Sequence, residues 1–407
     1  MSLSEALASP DQDRRVRRNV LRLAAAQALA GANSAVIFAT GAIIGSMLAP
    51  RPDLATVPLS VFVVGMASGT LPTGWISRHY GRRAAFLAGT GLGCATGLLA
   101  ALAILIGSFP LYCIATFLGG LYAAVVQSFR FAAADGASAA FRPRALSWVM
   151  AGGVFAGVLG PQLVTWTMGL WPTYLFAASY VAQALVALIA MAVLAGIDLP
   201  RPAAIDLEKG RPLAEIVRQP RFIAAALCGI VAYSTMNLVM TSAPLAMHLC
   251  GLPVSASNRA IQWHIVAMFG PSFFTGTLIA RFGAQRVVAA GFAFTLAAVA
   301  TGLAGITQAH FAIGLILLGL GWNFGFVGAS ALVLETHRPE ERNKVQAFND
   351  FLVFGTMAVG SFSSGQILAS YGWGAVNWVV VPPVLLAVAM LAAAGLMRRR
   401  AGLATAA

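Results

Sequence analysis

The sequence predicts an all-α membrane protein, with twelve transmembrane helices in two pseudo-symmetric six-helix bundles. Three observations predict this. Hydrophobic residues make up 59% of the 407 and charged residues only 10%, with a mean hydropathy of +0.81. A water-soluble chain of this length could not cover its surface with so few charges. Apolar stretches of roughly 20 residues, the length that crosses a bilayer, recur between short polar turns. Finally, the turn Gly74-Trp75-Ile76-Ser77-Arg78-His79-Tyr80-Gly81-Arg82-Arg83 has a degraded twin, Gly276-Thr277-Leu278-Ile279-Ala280-Arg281-Phe282-Gly283-Ala284-Gln285. A helix–turn–helix unit repeated half a chain apart implies two like halves.

In chain order, a polar tail over 1–19 precedes spans at 20–48, 55–77, 84–107, 110–133, 145–168 and 172–197, which form the N-terminal bundle over 20–197. A polar linker follows at 198–221, marked by Pro200, Pro202, Pro212 and Pro220. The C-terminal bundle, 222–397, holds spans at 222–247, 259–280, 286–306, 310–334, 345–368 and 373–397, before a tail at 398–407. Of the 26 Lys and Arg, all but Arg51 and Arg259 fall on the same set of alternate loops, tails and helix ends. That asymmetry predicts a multi-pass membrane protein with both termini cytoplasmic. It also accounts for the net charge of +13, so nucleic acid is not an expected partner. Residues 1–18 are polar and the first apolar stretch is too long for a signal peptide. The four Cys lack metal spacing, and no metal or cofactor is expected.

Twelve spans, the central linker and the paired turns resemble the major facilitator superfamily. Gly74, Gly81, Arg82 and Arg83 match that family's loop signature, whereas its acidic position is Arg78 here. Gly153-x-x-x-Gly157-x-x-Gly160-Pro161 on span 5 resembles a feature of antiporter-type exporters, without the double glycine that follows there. Four other strings are similar to a bacterial branch associated with riboflavin transport: Phe129-Arg130-Phe131-Ala132-Ala133-Ala134-Asp135, Ile261-Gln262-Trp263-His264, Gly321-Trp322-Asn323-Phe324 and Gln346-Ala347-Phe348-Asn349-Asp350-Phe351. The half-repeat pairs Gly119 with Gly319, Tyr122 with Trp322, Asp135 with Glu335, and Asn33 with Asn237. The resemblance implies that spans 1, 4, 7 and 10 line a cavity.

Among the 13 acids, only Asp350 falls inside an apolar span. Gln346, Asn349 and Asp350 share one helix face, which must turn to protein or water and not to lipid. Asp350 reads as part of a cytoplasmic gate, as the carrier of a coupling proton, or as a structural cap. Arg130 is its expected partner; the alternatives are a snorkelling side chain or an anion-binding fork. Arg82 is expected to pair with Asp135, as the matching family residue does with its acid. Arg78 is expected near Asp350 or Glu335, or simply fixes topology. His264, the one His well inside a span, reads as a proton carrier or as a bland hydrogen-bonded residue.

The cavity candidates are mostly neutral: Gln27, Asn33, Tyr233, Asn237 and Thr241 from spans 1 and 7, Tyr122, Gln127, Trp322 and Asn323 from spans 4 and 10, and Gln262 from span 8. Amides and rings with few charges suit a planar, polar, mostly uncharged solute; each alone is also a normal interhelical contact. Together these features imply a secondary transporter of a small organic solute, working as a monomer by alternating access, with proton coupling and flavin uptake as specific options. An exporter of hydrophobic or drug-like compounds and a non-transporting membrane sensor are the competing readings. An enzyme is not expected, because no nucleophile–base pair or metal motif is present.

Overall fold

The computed structural model describes residues 10–51, 54–135, 137–199 and 210–404. The inner part of the linker, with Pro200 and Pro202, and the outermost residues of both tails lie outside the described residues. Among those described, ten helices are long and apolar enough to cross a bilayer, and one bent pair makes eleven. The count falls short of the expected twelve over 342–404, where the residues of expected spans 11 and 12 are joined through a kink at Gly372.

Two compact units are present. The first comprises residues 1–209 together with Gln346–Phe351, and the second comprises Gly210–Val345 with Leu352–Ala407. In the first unit the helices are α1 (Pro10–Leu48), α2 (Val57–Tyr80), α3 (Arg82–Ile106), α4 (Phe109–Ala134), α5 (Arg142–Thr167) and α6 (Ala177–Ala195). They approach through small residues, as expected where lipid offers no hydrophobic drive to association. A Cβ on Gly120 of α4 would lie 2.0 Å from the Phe62 carbonyl oxygen of α2, and one on Gly152 of α5 would lie 2.4 Å from that of Ala24 on α1. Gly160, before Pro161, meets Ala35 of α1 in the same way. The core of this unit gathers Val20, Leu23, Phe86, Tyr122, Phe129, Val149 and Leu194.

The second unit contains α7 (Leu213–Val217), α8 (Pro220–Leu249), α9 (Val254–Phe269), α10 (Ser272–Phe282), α11 (Ala284–Ala304), α12 (Gln308–Trp322), α13 (Gly328–Leu334) and most of α14 (Arg342–Ala404). Three departures from uninterrupted spans stand out. The expected span 259–280 is two helices, bent by 40° at Gly270–Pro271. Proline has no N–H to continue the ladder and its ring clashes with the preceding turn. Span 10 contains a π-helical turn, Asn323–Val327, between α12 and α13. In α14 two helices meet at Gly372, whose φ of 76° suits glycine.

Candidate functional site

A buried charged cluster sits in the first unit, where the C-terminal ends of α2 and α4 meet the start of α14. Arg82 follows the left-handed Gly81 (φ 87°) that turns the chain from α2 into α3. Its Nε donates to Asp135 Oδ2 at 2.5 Å, and its Nη2 donates to Gln346 Oε1 at 2.5 Å. Two turns of α4 separate Arg82's carboxylate partner from Gln127, whose carbonyl accepts from Arg130 Nη1. Arg130 Nη2 donates to Asp350 Oδ1 at 2.6 Å, and the Asn349 amide donates to the same oxygen at 3.1 Å. The Arg130 guanidinium also lies 4.3 Å from the Phe131 ring centroid. Arg130 is 0% and Asp350 4% exposed, so neither charge reaches solvent. The structure therefore brings Arg82, Arg130, Asp135, Gln346, Asn349 and Asp350 together. A buried pair of this kind is costly to break on one side only, because the remaining charge has no solvent.

Arg78 lies partly buried in the last turn of α2. Glu335 caps α13 and is exposed, unlike its repeat partner Asp135. The reason is visible in the twin turn: where the first half has Arg82, the second has Ala284, which offers no guanidinium.

The second unit holds an aromatic platform. Trp322 and Phe326 stack with centroids 5.3 Å apart. The Tyr233 ring meets Trp322, Phe326 and Phe354 edge-on at 5.6, 5.0 and 5.2 Å. Trp322 is 1% exposed, and its Nε1–H has no hydrogen-bond partner. One turn along α8 from Tyr233, the buried Asn237 also presents an unpartnered Nδ2. Buried donors without partners are rare in proteins and mark places that a ligand or water can satisfy. Thr241, a further turn along, is exposed and lies 3.1 Å from Ser364 Oγ.

Two cavity candidates are packed between helices. Tyr122 is 2% exposed and belongs to the first unit's core, its ring pressed on Gly93 of α3 and its hydroxyl without a hydrogen-bond partner. Its presumed equivalence with Trp322 is off by one residue. Gly120 meets α2 as Gly319 meets α9, and Tyr122 faces α3 as Gly321 faces Thr295 of α11. A π turn takes one residue more than an α turn, and the turn at Asn323–Val327 absorbs that difference, which restores the pairing of Asp135 with Glu335. Asn323 is 0% exposed, with its amide bonded to Met268, Ser272 and Thr275. Gln262 is exposed. Gln27 and Asn33 are buried in α1, and both polar atoms of Asn33 lack a partner, as does Gln127 Oε1. His264 is fully buried between α9 and α12; its Nδ1 lies 2.7 Å from the Leu315 oxygen and its Nε2 is unpartnered.

Sequence reasoning missed Gln183 of α6, which is 0% exposed with both amide atoms unpartnered. A lone amide in an otherwise apolar span was the available signal. It also missed a latch at the start of the second unit. Arg211 Nε and Nη2 grip the two carboxylate oxygens of Glu341 at 2.8 Å each, and Lys344 donates to the Arg211 carbonyl. The grip of Arg211, aided by the Arg338 and Arg211 backbone N–H groups, holds the Glu341 carboxyl down at about 2 against the opposing effect of burial.

The profile of the Major Facilitator Superfamily matches residues 23–271 and again residues 226–406. The chain is 45% identical to the riboflavin transporter RfnT of Brucella anthropi over 374 residues, 91% of this chain and 94% of that one. It is 29% identical to the uncharacterized MFS-type transporter YdeG of Bacillus subtilis, covering 93% and 92%. Among solved structures it is similar to the proton:xylose symporter XylE bound to 6-bromo-6-deoxy-D-glucose, with a TM-score of 0.75, 13% identity and coverage of 93% and 96%.

Proposed function

The chain belongs to the major facilitator superfamily and is a multi-pass secondary transporter; we propose that its solute is riboflavin or a close flavin, carried into a bacterial cell across the inner membrane by alternating access. The observation that carries this reading is the 45% identity, over nearly the whole of both chains, with a protein named as a riboflavin transporter. The second unit's chemistry supports it. Stacked rings at Trp322 and Phe326, with the unpartnered N–H groups of Trp322 and Asn237, suit a flat heteroaromatic solute rich in carbonyl acceptors.

In this reading the Arg130–Asp350 pair is a gate that must open and re-form in each cycle, with Arg82, Asp135 and Gln346 as its frame. Both termini are cytoplasmic, and one chain works as a monomer. The titratable groups inside the spans that a coupled proton would use are Asp350 and His264.

Riboflavin-auxotrophic bacteria expressing the chain test the reading. Growth and labelled riboflavin uptake above the empty vector are expected, and loss of uptake with a protonophore would indicate dependence on the proton gradient. No uptake by cells with the protein verified in the membrane would overturn the riboflavin assignment and favour export or another solute.

A further inference from the structure

Asn323 sits where two irregularities in the second unit touch. One is the break in the span formed by α9 and α10, where Pro271 interrupts the helical ladder. The other is the π turn that begins at Asn323 itself. The Asn323 amide bridges the break from outside the helix. Its Nδ2 donates to the Met268 carbonyl at 2.5 Å on the near side and to Ser272 Oγ at 2.6 Å on the far side. The Thr275 hydroxyl, also beyond the break, lies 2.6 Å from Asn323 Oδ1, and its one proton is shared with the Pro271 carbonyl at 2.8 Å. Asn323, Ser272 and Thr275 are each 0% exposed, so water does not compete for these groups.

The π turn carries function-bearing side chains on either side of this clasp. Trp322 immediately precedes Asn323, and Phe326 lies within the turn; their stacked rings form the platform against Tyr233. On its other flank the turn is backed at backbone distance by Gly291 of α11, where a Cβ would lie 2.5 Å from the Gly325 nitrogen. No side chain there can cushion a shift of the turn.

We propose that Asn323 is a positioning residue: by clasping the broken span it sets the π turn, and through it the orientation of Trp322 and Phe326. The break and the platform then move as one element. The i→i+5 bonds of a π turn compete with ordinary α-helical i→i+4 bonds. A clasp that joins the Met268 carbonyl to the Ser272 and Thr275 hydroxyls across the break selects the π arrangement over the α one. This inference rests on the reading of the platform as the solute site, but its structural half does not.

The test uses the full chain in lipid nanodiscs, with Thr275→Val, Thr275→Ser and Asn323→Ala. Thr275→Val keeps the side-chain shape and removes only the hydroxyl, with its bonds to Asn323 and to the Pro271 carbonyl, so it remains informative where Asn323→Ala fails to fold. Hydrogen–deuterium exchange without solute is expected to rise in Thr275→Val both around residues 266–276 and around residues 320–329, with other spans unchanged and Thr275→Ser restored. A rise confined to the first segment would overturn the clasp. Riboflavin is the probe for the functional half. Thr275→Val should raise its KM by about fivefold, the worth of one hydrogen bond, while the maximal rate holds. An unchanged KM, in a protein whose parent takes up riboflavin, would overturn the positioning role. Failure of the parent itself to take up riboflavin would strike the solute assignment, with the exchange pattern still deciding the clasp.

Discussion

Neutralising one member of the Arg130–Asp350 pair should stop turnover while sparing solute binding. The two side chains are 0% and 5% exposed and meet at 2.6 Å. Asp350→Asn removes the carboxylate that meets Arg130 Nη2; Arg130→Gln removes that guanidinium and leaves Asp350 with the Asn349 amide and the more distant charge of Arg82. Removing one partner of a buried ion pair costs roughly 3–5 kcal/mol. If the pair exists only in part of the transport cycle, that whole cost falls on the state containing it. The equilibrium between states then shifts by about two to nearly four powers of ten. A carrier so biased still binds solute from one side and almost never returns. If the pair persisted throughout the cycle, the same cost would appear as lost folding stability. The two cases separate in two assays on purified protein: riboflavin binding with thermal unfolding, and riboflavin uptake in proteoliposomes. The expected outcome is near-normal binding, a melting temperature close to that of the unaltered chain, and uptake near background. The double variant Arg130→Gln/Asp350→Asn removes both charges and should recover part of the uptake, the non-additivity expected of residues in contact. Normal uptake by both single variants would refute the gate, and strictly additive losses would refute the pairing.

Three other outcomes follow from particular contacts. Trp322→Phe keeps a stacking ring but removes the unpartnered Nε1–H; riboflavin affinity by fluorescence quenching should fall about tenfold, and unchanged affinity would remove Trp322 from the solute site. Glu341→Gln should lower stability near neutral pH by about 1.5–3 kcal/mol, the range for a hydrogen bond to a charged group. Because the folded-state Glu341 carboxyl is held at about 2 against an ordinary 4.5, its contribution is full above about 4.5 and is lost as pH falls towards 2. Melting curves of the two proteins should therefore converge over that window, and a pH-independent difference would rule out the Arg211 grip as its source. Gly120→Val would drive a side chain into the Phe62 carbonyl, where even a Cβ comes within 2.0 Å, and should cost about 3 kcal/mol or more. The expected sign is protein missing from the membrane or aggregated in detergent; a monodisperse variant of normal melting temperature would contradict the helix contact.

The fold class was legible because a bilayer imposes it. Apolar length marks spans such as Arg82–Ile106 and Ala284–Ala304 with little ambiguity. Less legible were the places where helices depart from regularity. Gly270-Pro271 stood in the sequence as a break signal, yet an apolar stretch running through it reads as one span. The charged cluster was legible in part, since a carboxylate inside a span demands a partner and Arg130 was the cation at matching depth. The Arg211–Glu341 latch was not, because both residues lie in polar segments, where charges are ordinary and the burial of one of them leaves no trace in sequence.

The misplacement of Tyr122 shows how a correct repeat can still mislead. Pairing residues at one constant offset assumes that both halves wind at the same rate. Span 10 does not: its π turn lodges one extra residue, so partners before the turn slip by one position and partners after it, such as Asp135 and Glu335, do not. A slip of one residue rotates a side chain by about 100° around a helix. That rotation is enough to send Tyr122 into the α3 contact at Gly93 while Trp322 joins the aromatic platform. The two halves therefore diverge at the residues proposed to meet the solute, and Asn323 sits at the point of divergence. The charged frame belongs to the first half, in Arg82 and Asp135; the second half has Ala284 where the first has Arg82, so no guanidinium meets Glu335 from that position.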